Sequence, residues 1–131
     1  MTTWNAQHIH ATLAAAAAKD PAGDYALHPV LSEAAVADFE AQHGITLPTD
    51  YRDFLLQVGN GGAGPDYGVY PLADTVPSST DTLEIAEIGC GHYHHLVLTG
   101  PSRGRIWLDP NSGKGSAANF HDWYLTWLAA L

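Results

Sequence analysis

Leu96-Val97-Leu98-Thr99-Gly100-Pro101-Ser102-Arg103-Gly104-Arg105-Ile106-Trp107-Leu108 is the stretch on which the fold turns. Two short runs, 96–99 and 105–108, flank a connection carrying Gly100, Pro101 and Gly104, the pattern of a β-hairpin with a longer loop. Upstream, Leu83 to Ile88 alternates as a strand does, although Leu-Glu-Ile-Ala-Glu-Ile also suits a helix. Before it, Gly64-Pro65-Asp66 is a turn, Tyr67 to Leu72 predicts a short strand closed by Pro71, and Asp74 to Thr82 predicts a polar loop. Downstream, Asp109-Pro110 opens a loop that holds Gly113 and Gly115.

Both ends of the chain carry a different period. Ala11–Ala18 predicts a helix within residues 1–20, capped by Asn5 and stopped at Asp20-Pro21-Ala22-Gly23. Trp4 and Ile9 then occupy the two positions of a hydrophobic staple, which makes Trp4 a core residue rather than an exposed contact. Ser32 caps a second helix that ends at Gly44, with Val36 and Phe39 inward and Asp38 and Glu40 outward or sideways. A third opens at Pro48 as its first residue, with Tyr51, Phe54, Leu55 and Val58 on one buried face. The closing helix is capped by Asn119, with Asp122 three residues on. Its apolar stripe is Phe120, Trp123, Tyr124, Trp127, Leu128 and Leu131. Helices, then strands, then a closing helix predict an α+β fold.

The 131 residues suit one domain, taken as 1–131, and 46% apolar content excludes general disorder. Cys90 is the chain's one cysteine, which excludes an internal disulfide framework and a four-cysteine zinc site. The alanine-rich stretch lacks a preceding Lys or Arg and is too short to cross a bilayer, so the expectation is a cytoplasmic protein with no membrane segment. Net charge is −9, which argues against nucleic acid as a partner and for a basic protein. Through Ile88, twelve carboxylates face Lys19 and Arg52 alone; the remainder sets Arg103, Arg105 and Lys114 against Asp109 and Asp122.

Phe39-Glu40, Gly44, Leu47-Pro48, Tyr51-Arg52, Phe54-Leu55 and Asn60-Gly61-Gly62 form an ordered signature. Leu83-x-Ile85-Ala86-x-x-Gly89-Cys90-Gly91, Leu96-x-Leu98-x-Gly100, Gly104-x-Ile106-Trp107 and Phe120-x-x-Trp123-Tyr124-x-x-Trp127-Leu128 continue it. Over about residues 30–131 the chain resembles the SUKH superfamily, the SMI/KNR family. The resemblance implies a strongly curved, mainly antiparallel sheet flanked by helices. It also implies a non-enzymatic, cofactor-free protein-binding role. In bacteria that role is commonly immunity: binding and neutralising a polymorphic toxin, often a nuclease. The His92-Tyr93-His94-His95 cluster departs from the pattern.

Three constellations invite chemistry. On a regular strand Cys90, His92 and His94 share one face, a donor set that suits zinc, with His28, Asp109 or His121 as a fourth ligand. A small metal-binding protein or metal-dependent enzyme is therefore the alternative function. Against it, Gly89 and Gly91 break strict alternation, and Cys90 also suits a small buried core position. The Gly59–Pro65 stretch follows a helix and lacks the closing Lys-Ser/Thr of a phosphate loop, so it is a turn. The third constellation is acidic and aromatic: Asp66, Tyr67, Tyr70, Asp74, Asp81, Glu84 and Glu87 are the candidate contacts for a basic toxin domain.

Overall fold

Asparagine and serine caps start the helices where the sequence places them. In the computed structural model, which describes residues 3–78, 81–108 and 115–131, Asn5 Oδ1 accepts from the His8 N–H at 3.0 Å and opens α1 (Ala6–Lys19). Ser32 Oγ accepts from Ala35 N–H and opens α2 (Glu33–His43), which ends on Gly44 at φ +64°. Asn119 Oδ1 accepts from Asp122 N–H at 2.7 Å and opens α4 (Phe120–Ala129). α3 (Thr49–Gln57) starts one residue later than expected. Pro48 holds an extended ψ of 143° and so stands just outside the helix.

Five strands follow in a meander, each antiparallel to the next: β1 (Val76–Ser78), β2 (Thr82–Gly89), β3 (His92–Val97), β4 (Ile106–Leu108) and β5 (Gly115–Ala117). The 83–88 segment is strand, and the hairpin forms through Gly100–Gly104 with β3 starting earlier than expected. Two expectations are corrected. Tyr67 to Leu72 is not a strand: Val69 alone bridges Gly62 and Ala86, because Gly68 turns at φ +97° and Pro71 leads into a 3-10 turn at Leu72–Asp74. The 74–82 segment is not wholly loop, since β1 pairs with the start of β2. The expected loop residues Asp109, Pro110 and Gly113 lie outside the described residues, and Gly115 begins β5.

The core sits between the helices and one face of the sheet. Leu83, Ile85, Leu96 and Ile106 meet Tyr51, Phe54, Phe120 and Tyr124, all fully buried. Phe120 is the hub, with the rings of Tyr51 and Phe54 both 5.0 Å away at edge-to-face angles. Trp4 is buried as the staple reading requires, 5.2 Å from Phe54, and its indole N–H donates to the Asp50 carbonyl at 2.9 Å. The α4 stripe is narrower than its spacing suggests. Trp127 is half-buried, and Leu131 lies beyond the helix end and is 40% exposed.

Glu40 takes the sideways one of its two expected placements. Its carboxylate accepts from Leu47 N–H at 2.8 Å and from Arg52 Nε at 3.0 Å, while Arg52 reaches Glu33 at 2.6 Å. Together these bonds tie α2 to α3 and fix the 44–48 connection.

Candidate functional site

Three register features place acidic and aromatic side chains on the sheet face away from the helices. β2 pairs Glu84 with His95 and then Ala86 with His94, which leaves Ile85 as an extra residue. The bulge lets Ile85 and Ala86 both turn into the core, so Glu84 and Glu87, three apart, both face outward. β3 sets Tyr93 opposite Glu87, and His95 lies between Glu84 and Trp107 of β4. Tyr70 joins the group from outside the sheet. Its N–H donates to the Ile85 carbonyl at 2.8 Å, and because Val69 bridges Ala86 on the buried side, Tyr70 turns to the outer one.

The electrostatics record this proximity. Burial pushes the Glu84 carboxyl above the usual glutamate range, and the charge of Glu87 adds to it. Burial likewise raises the Tyr70 hydroxyl, with Glu84, Glu87 and Tyr93 contributing in that order. Among the described residues neither glutamate pairs with a Lys or Arg.

Tyr70 also walls a second feature, a groove of about 440 Å³ that includes Asp24, His28, Asp66 and Tyr67. Gly62, Ala63 and Gly64, at the end of the glycine turn, also line it. Gly61 and Gly62 take φ +77° and +113°, and Asn60 Oδ1 accepts from Leu72 N–H at 2.8 Å to hold the returning chain. Asp66 is at φ +56°, and its Oδ2 lies 2.8 Å from Nε2 of the buried His94. Tyr67 is 77% exposed, and its ring lies beside Gly89 at the end of β2.

Of the seven residues singled out for partner binding, Tyr70, Glu84 and Glu87 share the outer face, while Asp66 and Tyr67 share the groove with Tyr70. Asp74 is exposed in the 3-10 turn. Asp81 stands before the start of β2, roughly 20 Å along the strand from Glu87, where it accepts from the Thr99 hydroxyl at 3.1 Å. Sequence reasoning missed Tyr93 and Trp107. The hairpin pattern was the available signal, but pairing Tyr93 with Glu87 requires the register, which the bulge shifts.

Cys90, His92 and His94 do not follow strand alternation. Gly89 at the end of β2 and Cys90 and Gly91 in the turn that follows all adopt positive φ, so the one-face spacing fails there. Cys90 is exposed, which corrects its reading as a core residue. His92 is exposed, whereas His94 turns inward against Trp123 at 5.1 Å. Of the suggested fourth ligands, His28 lines the groove, His121 packs on Trp4 at 4.6 Å, and Asp109 is outside the described residues. Among the described residues no three His, Cys, Asp or Glu side chains come together as metal ligands.

The fold is of the α+β class, an antiparallel sheet with helices on one face and half-buried acidic and aromatic side chains on the other. The chain belongs to the SMI1 / KNR4 family (SUKH-1), whose model matches residues 30–126. Proteins of this family are generally non-catalytic, with immunity or regulatory roles. No curated protein and no solved structure matches the chain. No described helix is long and apolar enough to cross a membrane.

Proposed function

We propose that this chain is an immunity protein that binds a cognate, basic toxin domain and occludes its active cleft without catalysing any reaction. The family match over residues 30–126 carries the reading. The surface chemistry supports it: a net charge of −9, with Glu84 and Glu87 set among Tyr70, Tyr93 and Trp107, suits a partner of opposite potential. A cytoplasmic site of action belongs to the same proposal, and the exposed Cys90 thiol fits a reducing compartment.

The neighbouring open reading frame supplies the test. A large secreted protein with a variable C-terminal domain encoded there is the candidate toxin, and co-expression of this chain should restore growth to cells producing that domain. With purified components, association should slow steeply as salt rises, because rim carboxylates steer encounter. Toxicity unchanged by co-expression, together with no complex on gel filtration, would sink the proposal.

A further inference from the structure

We propose that the outer face of β2 and β3 receives one arginine side chain of a basic protein, its guanidinium seated on Glu84 and Glu87 beside the rings of Tyr70 and Tyr93. This rests on the reading of the chain as the binder of a basic protein.

Two carboxylates on one strand are common and mean little alone. Here they are half-buried, burial and the charge of Glu87 raise the Glu84 carboxyl, and among the described residues no Lys or Arg neutralises them. The position is built rather than incidental, since the Ile85 bulge is what turns both glutamates outward. Aromatic rings from two directions accompany them: Tyr93 directly across the strand pair, and Tyr70 from the segment hydrogen-bonded to Ile85. Thr82, two residues before Glu84 and on the same side by strand alternation, is 3% exposed, and its Oγ1 has no hydrogen-bond partner among the described residues.

The chemistry selects guanidinium over ammonium. A planar cation stacks on a tyrosine ring and still offers five N–H donors, enough to serve two carboxylates at once. An ammonium is a more strongly hydrated point charge and gains less from the rings. Arg105, on β4's approach to the same face, is exposed and makes no ion pair with Glu84 among the described residues.

The test uses the full chain and three blocked pentapeptides, Gly-Gly-X-Gly-Gly with X as arginine, lysine or the neutral isostere citrulline, followed by amide NMR. The arginine peptide should shift Tyr70, Glu84, Glu87, Tyr93 and Trp107, bind several-fold more tightly than lysine, and leave citrulline without effect. Glu84→Gln and Glu87→Gln should each weaken it about tenfold, as loss of one charge-assisted contact does. Tyr93→Leu should erase the preference for arginine while lysine binding persists. Equal shifts from arginine and lysine, spread over the carboxylates of α2 and α3, would overturn the inference. So would shifts at these residues that follow protein concentration without peptide, which would mark a second copy as the occupant. Toxin neutralised equally well by the double glutamine variant would also overturn it and leave the immunity reading intact. Arginine binding as described, with no toxin neutralised, would do the reverse.

Discussion

Two buried tyrosines show how much a single hydroxyl depends on its neighbour. Tyr51 and Tyr124 are both fully buried, and burial raises the pKa of each hydroxyl well above the usual tyrosine range. Tyr124 donates to the Ala63 carbonyl at 2.8 Å, whereas the Tyr51 hydroxyl has no hydrogen-bond partner among the described residues. A buried polar group without a partner costs about 1–3 kcal/mol, and a made hydrogen bond contributes about 1 kcal/mol. Tyr51→Phe should therefore leave stability unchanged or raise it, and Tyr124→Phe should lower it by about 1 kcal/mol. Urea midpoints of the two variants check this, and a larger loss from Tyr51→Phe than from Tyr124→Phe would refute it. Glu84 supplies a pH dependence. Its folded-state pKa is raised by burial and by Glu87, so its contribution is present below the ordinary glutamate range and is lost as pH rises through the folded value. Glu84→Gln should melt above wild type near about pH 7, and the gap should close near about pH 3, where both side chains are neutral. A gap of the same size at both pH values would remove the electrostatic cause.

Among the elements, the helices were readable because caps and apolar spacing are local. Asn5, Ser32 and Asn119 each make the expected bond, and the Tyr51-Phe54-Leu55-Val58 face is buried throughout. The candidate surface was only partly readable. Tyr70, Glu84 and Glu87 were named from charge and aromatic content, but their convergence depends on a bulge and a single bridge at Val69, neither of which has a sequence period. The same limit explains why Cys90, His92 and His94 looked like one face: three successive positive φ angles undo the alternation. Glycine turns divide by what surrounds them. A Cβ on Gly61 would meet the Tyr70 carbonyl carbon at 2.6 Å, while one on Gly91 meets nothing within 4 Å, though both have φ near +78°. The backbone strain is thus shared, and the collision is not. Gly61→Ala should cost substantially more than the roughly 1 kcal/mol expected of Gly91→Ala. It should also displace Tyr70 from the outer face, which its amide shift would report. Equal losses would mean that the Tyr70 segment yields easily and is not held by the turn.

At the scale of the whole molecule, the family match begins at residue 30, yet the core does not. Trp4, Ile9 and Leu13 come from the segment before it and are buried with Phe54, Phe120 and Tyr124. Trp4 is the keystone of that addition. Its ring stands 5.2 Å from Phe54, 6.0 Å from Phe120 and 6.1 Å from Tyr124, and its indole N–H caps the Asp50 carbonyl. Asp50 also accepts from the His121 N–H at 3.0 Å, so one aspartate at the start of α3 holds both the N-terminal segment and the first turn of α4. Trp4→Ala would open a cavity among three aromatic rings and leave that carbonyl without its donor. Truncation of a buried aromatic costs about 3–5 kcal/mol, a large share of the stability of a domain this size. Trp127, half-buried at the far end of α4, should cost less. The outer sheet face lies on the other side of the sheet from this cluster, so a Trp4→Ala protein that remains folded should still show the amide shifts of Glu84, Glu87 and Tyr93 seen in wild type. A loss under about 1 kcal/mol would show that the N-terminal helix docks loosely, contrary to the burial of Trp4. Displaced signals at Glu84 and Glu87 would instead show that the helix side of the sheet sets the geometry of the outer face.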